Sequence, residues 1–245
     1  MKVLILCGGK GVRAFPFSEF LPKPMMPVAG APILVQVMRT FMRHGYNDFL
    51  LAAGHRKAVL DDYFDGKDIG ANVQIVDTGE SANTADRVYA CRELVGDRFF
   101  VAYGDGLADV SLDQLVDYHN GHPGLATMTC VPLYSSYGVV DIDASGRVER
   151  IREKPIMREH WMNAGYFVFD RKVFDHWRGN DLEREVLPEL VSAGHAFAYK
   201  HHGFWKSMDS FKDQQEFEEL IEGGEIPWVH SPRDGNGAKP TGAAG

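Results

Sequence analysis

The sequence predicts an α/β fold: a single domain built on a mostly parallel sheet, with a smaller β lobe in its second half. Three observations predict it. Short apolar runs alternate with helix-period patterns through the first half of the chain. Turn residues close these runs, at the strand ends where open α/β sheets bind ligands. The second half instead carries an apolar–polar alternation around an Asp-Ala-Ser-Gly turn, the pattern of a hairpin.

Val3 to Leu6 is a continuous apolar run that reaches glycine two residues later, a buried strand. Pro32 suits the first turn of a helix. Ile33, Leu34, Val37, Met38, Phe41 and Met42 then recur at helical spacing, and Gly45 is the stop. Residues 48–54 form a second buried strand and 56–65 a short helix. Residues 72–79 are a third strand with a turn, 84–95 a helix and 98–106 a fourth strand. In the second half, 137–155 is a hairpin, 163–170 a strand, and 182–193 and 211–222 are helices. The segment 229–245 is polar and rich in glycine and proline, so the domain is expected over 1–228 with a disordered tail.

Bulk properties narrow the function. The chain has 245 residues, 44% of them hydrophobic, enough for a sizeable core. A formal charge of -8 argues against a nucleic-acid partner, so an anionic ligand would need local cations. Cys7, Cys91 and Cys130 are widely spaced and odd in number, which points to a reducing compartment. The apolar run at Val3–Cys7 is too short for a signal peptide, and no run reaches membrane-spanning length. A cytoplasmic protein without a membrane partner is expected.

The most informative stretch is "LCGGKGVRAFPFSEFLPKPMMPVAG" (6–30), where glycines, prolines and the spaced cations Arg13 and Lys23 share one loop. Glycine lets backbone amides approach a ligand closely, and proline holds the chain extended. Gly9-x-Gly11-x-x-Ala14 fits a dinucleotide fingerprint only superficially, because the prolines oppose the helix it requires and no acidic residue ends the second strand. A Walker A loop is excluded by the lack of Gly-Lys-Ser/Thr here. A plain surface loop and a triphosphate-binding loop remain.

With this loop, "VDTGES" (76–81), "YGDGLADV" (103–110), "YGVVDID" (137–143), "REKP" (152–155), "NAGYFVFD" (163–170) and "GFWKSMDS" (203–210), the sequence resembles the sugar-1-phosphate nucleotidyltransferases. The motifs "VDTG", "YGDGxAD" and "FWxxMD" are most similar to the glucose-1-phosphate cytidylyltransferase branch. The resemblance implies a Rossmann-like nucleotidyltransferase domain with a mixed sheet and a sugar-binding β lobe. It departs from the pattern at Val12, where threonine is usual, and in a shorter segment before "VDTG".

The implied reaction is attack of a sugar-1-phosphate oxygen on the α-phosphorus of a nucleoside triphosphate, with CTP and glucose 1-phosphate as the expected pair. A phosphate monoester is already ionised near neutral pH, its second pKa being about 6, so no general base is required. What remains is to bring two polyanions together, by positioning and by cations. The resemblance assigns Arg13 to the β- and γ-phosphates and Lys23 to the α-phosphate. Gly8, Gly9 and Gly11 would offer amides to the nucleotide, with Leu6 bordering the base and Gly104 ending a cleft strand. Thr78, Gly79 and Arg87 would read base or ribose. Asp105 and Asp209 would hold Mg²⁺, a hard cation that prefers oxygen; taken alone, Asp209 looks like a helix N-cap. Lys154 would neutralise the sugar phosphate and Glu153 accept from sugar hydroxyls, with Gly138, Asn163 and Glu183 also on the sugar side. Lys23 is expected to have little packing of its own. A homo-oligomer is implied. Alternatives are another nucleotide, a modified sugar or cyclitol phosphate, or a glycosyltransferase using a sugar nucleotide.

Overall fold

The structure, a computed structural model, describes residues 1–11 and 21–229. Arg13 and residues 230–245 of the expected tail lie outside the described residues. Strand β1 (Lys2–Leu6) lies inside the sheet, buried from Val3 onward, with a parallel strand on either side. The short strands β2 (Pro27–Val28) and β3 (Ala31–Pro32) form a tight hairpin that feeds helix α1 (Ile33–Met42). β4 (Asp48–Ala53), α2 (Lys57–Phe64), β5 (Asn72–Asp77), α3 (Thr84–Ala90) and β6 (Arg98–Tyr103) continue the alternation. Then come β7 (Gly106–Ala108), α4 (Leu112–Asn120), β8 (Ala126–Tyr134), the hairpin β9 (Val139–Ile142) and β10 (Val148–Arg152), and the long β11 (Ile156–Asp170). A π-helical turn over Leu182–Val186 opens α5 (Leu187–Ser192), followed by β12 (Ala196–Lys200), β13 (Trp205–Ser207) and α6 (Phe211–Glu222).

The main sheet has seven strands in the order β12-β8-β11-β6-β1-β4-β5, and only β11 runs antiparallel to its neighbours. Because side chains alternate across a strand, the apolar runs supply two cores. Val3, Ile5, Leu51 and Phe100 face α1 and α6. Leu4, Leu50, Phe99 and Val101 face α3 and α5. The β9–β10 hairpin is a separate two-stranded sheet, as the alternation in its sequence predicts.

Most expected elements are present, with two differences of extent and three further elements. The helix over 84–95 ends at Ala90, where successive i→i+3 contacts such as Arg92 N–H to Tyr89 O (3.1 Å) and Leu94 N–H to Cys91 O (2.9 Å) turn the chain out of the helix. The strand over 163–170 starts earlier, at Ile156, because β8 offers it a long antiparallel partner. Strands β8 and β12 and helix α4 complete the sheet beyond what periodicity alone singled out.

Phe41 on α1 is fully buried, with its ring centroid 5.2 Å from Phe100, 5.8 Å from Tyr166 and 6.5 Å from Phe49. Phe41→Ala should therefore lower unfolding free energy by about 3–5 kcal/mol in urea titration. A loss under about 1 kcal/mol would mean that this aromatic cluster does not anchor the helix to the sheet.

Candidate active site

The carboxyl ends of β1, β4, β5 and β6 lie side by side, and the short sheet beside them brings two distant aspartates together. Asp105 sits between β6 and β7. β7 pairs antiparallel with β13, Gly106 opposite Ser207, and the Met208 N–H donates to the Asp105 carbonyl at 2.9 Å. That register sets Asp209 beside Asp105. The N-cap of α6 is Ser210, not Asp209: the Ser210 hydroxyl accepts from Asp213 N–H in a capping box, and the Asp209 N–H goes to the Asp213 carboxylate at 3.0 Å. The Asp209 side chain turns instead to the Ser207 hydroxyl (3.2 Å) and to Lys23.

Lys23 lies between these carboxylates. Its Nζ is 2.6 Å from Asp105 Oδ2 and 2.6 Å from Asp209 Oδ1, so the two oxygens are no more than twice that distance apart. Pro22 and Pro24 hold it in a 3-10 turn over Lys23–Met25. The sequence expectation that this lysine lacks packing is corrected: it is only 7% exposed, because its stem runs inward beneath the glycine loop to reach its partners. Burial by itself would lower the ammonium pKa, but the Asp105 and Asp209 carboxylates override it and raise it.

Beside this charge cluster opens a cleft of about 440 Å³. Leu6 at the end of β1 and Gly8, Gly9 and Gly11 of the first loop line it, together with Arg87 and Glu183. Arg87 is nearly fully buried. Its Nη1 donates to the Thr78 hydroxyl (2.6 Å), Gly79 O (3.0 Å) and Ala53 O (3.2 Å), and its Nη2 to Gly8 O (2.9 Å). The guanidinium thus ties together the ends of β4 and β5 and the first loop, and burial lowers its pKa. This clamp explains glycine at two positions. A Cβ on Gly8 would run into the Arg87 guanidinium and lie 2.8 Å from Gly54 N, and one on Gly54 would lie 2.6 Å from Gly79 O. Thr78 and Gly79 reach the cleft through Arg87. Gly104 does not itself line the cleft; its N–H donates to Leu6 O at 3.1 Å, tying the end of β6 to β1.

Sequence reasoning passed over Tyr103, which precedes Gly104 in the quoted "YGDG". Its hydroxyl donates to Glu183 Oε1 and accepts from Asn163 Nδ2 at 3.2 Å. Thr84, also passed over, donates to Glu183 Oε2 at 2.8 Å. Gly138, Glu153 and Lys154 form a second group at the foot of the hairpin. Both Glu153 and Lys154 are exposed, Lys154 is left-handed at φ 45°, and a Cβ on Gly138 would lie 3.0 Å from Glu153 Oε2. These three do not line the cleft.

A larger cavity, about 870 Å³, opens at the opposite edge of the sheet around Asp97, Asp170 and Arg171. Two of its central charges are paired, Arg171 with Glu93 at 2.8 Å and Asp170 with Arg98 at 2.6 Å. The smaller cleft, at the strand ends and beside a buried cation, is the better candidate despite its size.

A glycine loop, an inward-turned lysine and two converging carboxylates at the carboxyl edge of an α/β sheet define a phosphate-handling enzyme of the nucleotide-binding class. The chain belongs to the nucleotidyl transferase family, whose family model matches residues 2–221. It is 34% identical over 255 aligned residues to the glucose-1-phosphate cytidylyltransferase of Salmonella typhi, covering 93% of this chain and 98% of that protein. It is 31% identical over 224 residues to the mannose-1-phosphate guanylyltransferase catalytic subunit beta of Xenopus tropicalis, covering 87% of this chain and 62% of that protein. The fold is shared with HddC from Yersinia pseudotuberculosis (TM-score 0.71, 20% identity, 90% and 99% of the two chains). It is also shared with a putative glucose-1-phosphate thymidylyltransferase from Bacillus anthracis (TM-score 0.69, 21% identity, 98% of each chain).

Three substitutions test this geometry. Lys23→Met leaves Asp105 and Asp209 facing each other without their shared cation and should cost about 1–3 kcal/mol of stability. Adding Asp209→Asn should recover part of that loss in denaturant titrations, and no recovery would show that the carboxylates do not repel. Gly8→Ala should displace Arg87 and lower Tm by several degrees, about 1–2 kcal/mol. An unchanged Tm would mean that the clamp is not required.

Proposed function

We propose that this protein transfers a cytidylyl group from CTP to glucose 1-phosphate. The sugar-phosphate oxygen attacks the α-phosphorus, the bond to the bridging oxygen breaks, and pyrophosphate leaves with its electrons. The observation that carries the proposal is the Lys23 ammonium held at 2.6 Å from both Asp105 and Asp209 beside a glycine-lined cleft. The preference for CTP and glucose 1-phosphate is supported by the near full-length similarity to the Salmonella typhi enzyme.

Asp105 and Asp209 suit a Mg²⁺ ion. No cluster of three or more His, Cys, Asp or Glu side chains is found among the described residues. Mg²⁺ commonly takes only one or two carboxylates and completes its shell with waters and substrate phosphate. Bound there, it would neutralise charge on the triphosphate and leaving pyrophosphate. Lys23 then serves the α-phosphate, with Arg13 as the second cation. Leu6, Gly8, Gly9 and Gly11 form the nucleotide side, and Arg87 with Thr78 and Gly79 borders base and ribose. Glu183 and Asn163, with Gly138, Glu153 and Lys154 of the hairpin, form the sugar side. The reading includes a reducing compartment, supported by three buried free cysteines, and a homo-oligomer. The outer face of the hairpin supports the latter, since the cross-strand pairs Ile142–Val148 and Val140–Ile151 are exposed apolar surface. No described helix is long and apolar enough to cross a membrane.

A matrix of CTP, UTP, GTP, ATP and dTTP against several sugar phosphates, read by pyrophosphate release, tests the proposal. CTP with glucose 1-phosphate should be fastest, and chelator should abolish the signal. Asp105→Asn and Asp209→Asn should each lower kcat by about a hundredfold or more, with the double variant little worse. Preference for another pair would move the assignment to that nucleotide or sugar; full activity in either Asn variant would remove the metal role.

A further inference from the structure

Tyr103 stands at the junction of the cleft and the sugar side, and its bonding is fully directional. The Asn163 Oδ1 accepts from Gly165 N–H at 2.8 Å, which turns the Asn163 NH₂ toward the Tyr103 oxygen at 3.2 Å. With a donor already on that oxygen, the single phenolic proton goes to Glu183 Oε1. The ring itself is wedged. It packs edge-on to Phe167 at 5.9 Å and presses on Gly165, where any Cβ would overlap it. Gly165 has φ 77°, a conformation that favours glycine.

Glu183 is thereby held at both oxygens, Oε1 by Tyr103 and Oε2 by Thr84 at 2.8 Å. Thr84 is fixed in turn, its hydroxyl accepting from Leu182 N–H at 2.9 Å. A carboxylate has about four acceptor positions. Among the described residues two are filled, which leaves one on each oxygen, on a side chain that lines the cleft. A carboxylate fixed at both oxygens with one vacancy on each matches two neighbouring hydroxyls of one ring.

We infer that Tyr103 is a positioning residue that fixes Glu183 as a two-hydroxyl acceptor, so that the protein selects sugar phosphates with an intact vicinal diol at the position facing Glu183. This deepens the proposed function and rests on its sugar phosphate. A site built to bond a hydroxyl discriminates strongly against the analogue that lacks it, because the carboxylate is left without its partner.

The test compares wild type with Tyr103→Phe on glucose 1-phosphate and on its 2-, 3-, 4- and 6-deoxy analogues. Wild type should discriminate against at least one ring-deoxy analogue by about a hundredfold in kcat/KM or more. In Tyr103→Phe, KM for glucose 1-phosphate should rise about tenfold, the discrimination should shrink by a similar factor, and KM for the nucleotide should stay within about twofold. Glu183→Gln should reproduce the same pattern across the analogues, and the double variant should match Glu183→Gln alone. Equal shifts in both substrates' KM, or an unchanged deoxy profile, would overturn the inference. Calorimetric binding of glucose 1-phosphate separates this outcome from failure of the proposed reaction. Weaker binding by Tyr103→Phe than by wild type would uphold the role of Tyr103 even without turnover. Equal binding, or none by wild type, would overturn it.

Discussion

The contact on which the site depends is the Lys23 ammonium between Asp105 and Asp209. Two carboxylates at that separation repel, and a buried ammonium is costly without an anion; together they satisfy each other. Much of the surrounding architecture holds this arrangement in place. The prolines on either side of Lys23 fix its turn, the β7–β13 pairing fixes the distance between the aspartates, and Asp213 caps α6 so that Asp209 turns to Lys23. The proposed reaction between polyanions would use the same arrangement, with the carboxylates as metal ligands and the lysine against a phosphate.

A second buried cation organises the glycine-loop side of the cleft in a different way. Arg87 binds no carboxylate among the described residues; it donates to carbonyls at the ends of strands and to Thr78. Its effect is to set the spacing of the cleft walls, and its bulk requires glycine at positions 8 and 54. Part of the glycine content that looks like an adaptation to a ligand is therefore an adaptation to an arginine. The two roles are compatible, since a wall without Cβ atoms also lets a nucleotide approach the backbone.

The fold was legible where periodicity was strong. Ile33–Met42 and Phe211–Glu222 bear an apolar stripe or a capping box, and Val3–Leu6 is a short apolar run before glycines. Strand β8 was less legible because Pro132 interrupts it and its pairing with β11 passes through bulges, so its extent depends on its partner. In the site, Gly8, Lys23, Asp105 and Asp209 were singled out through the resemblance to the family, Asp209 by that alone. Tyr103 and Thr84 were not, because a tyrosine after an apolar run looks like core and a threonine at a helix start looks like a cap. What distinguishes them is Glu183, remote in sequence.

The sequence by itself determined the local facts: which segments are strands and helices, where the chain is free of side chains, and which charged residues flank turns. These follow from nearest-neighbour sterics and from the period of apolar residues, both of which are local properties. Only the tertiary structure decided that one lysine bridges two aspartates, that Arg87 faces carbonyls, and that Tyr103 points its proton at Glu183. Each of those depends on strand register and on burial, which raise the cost of an uncompensated charge and fix the direction of a donor. Neither is a property of any short stretch of chain.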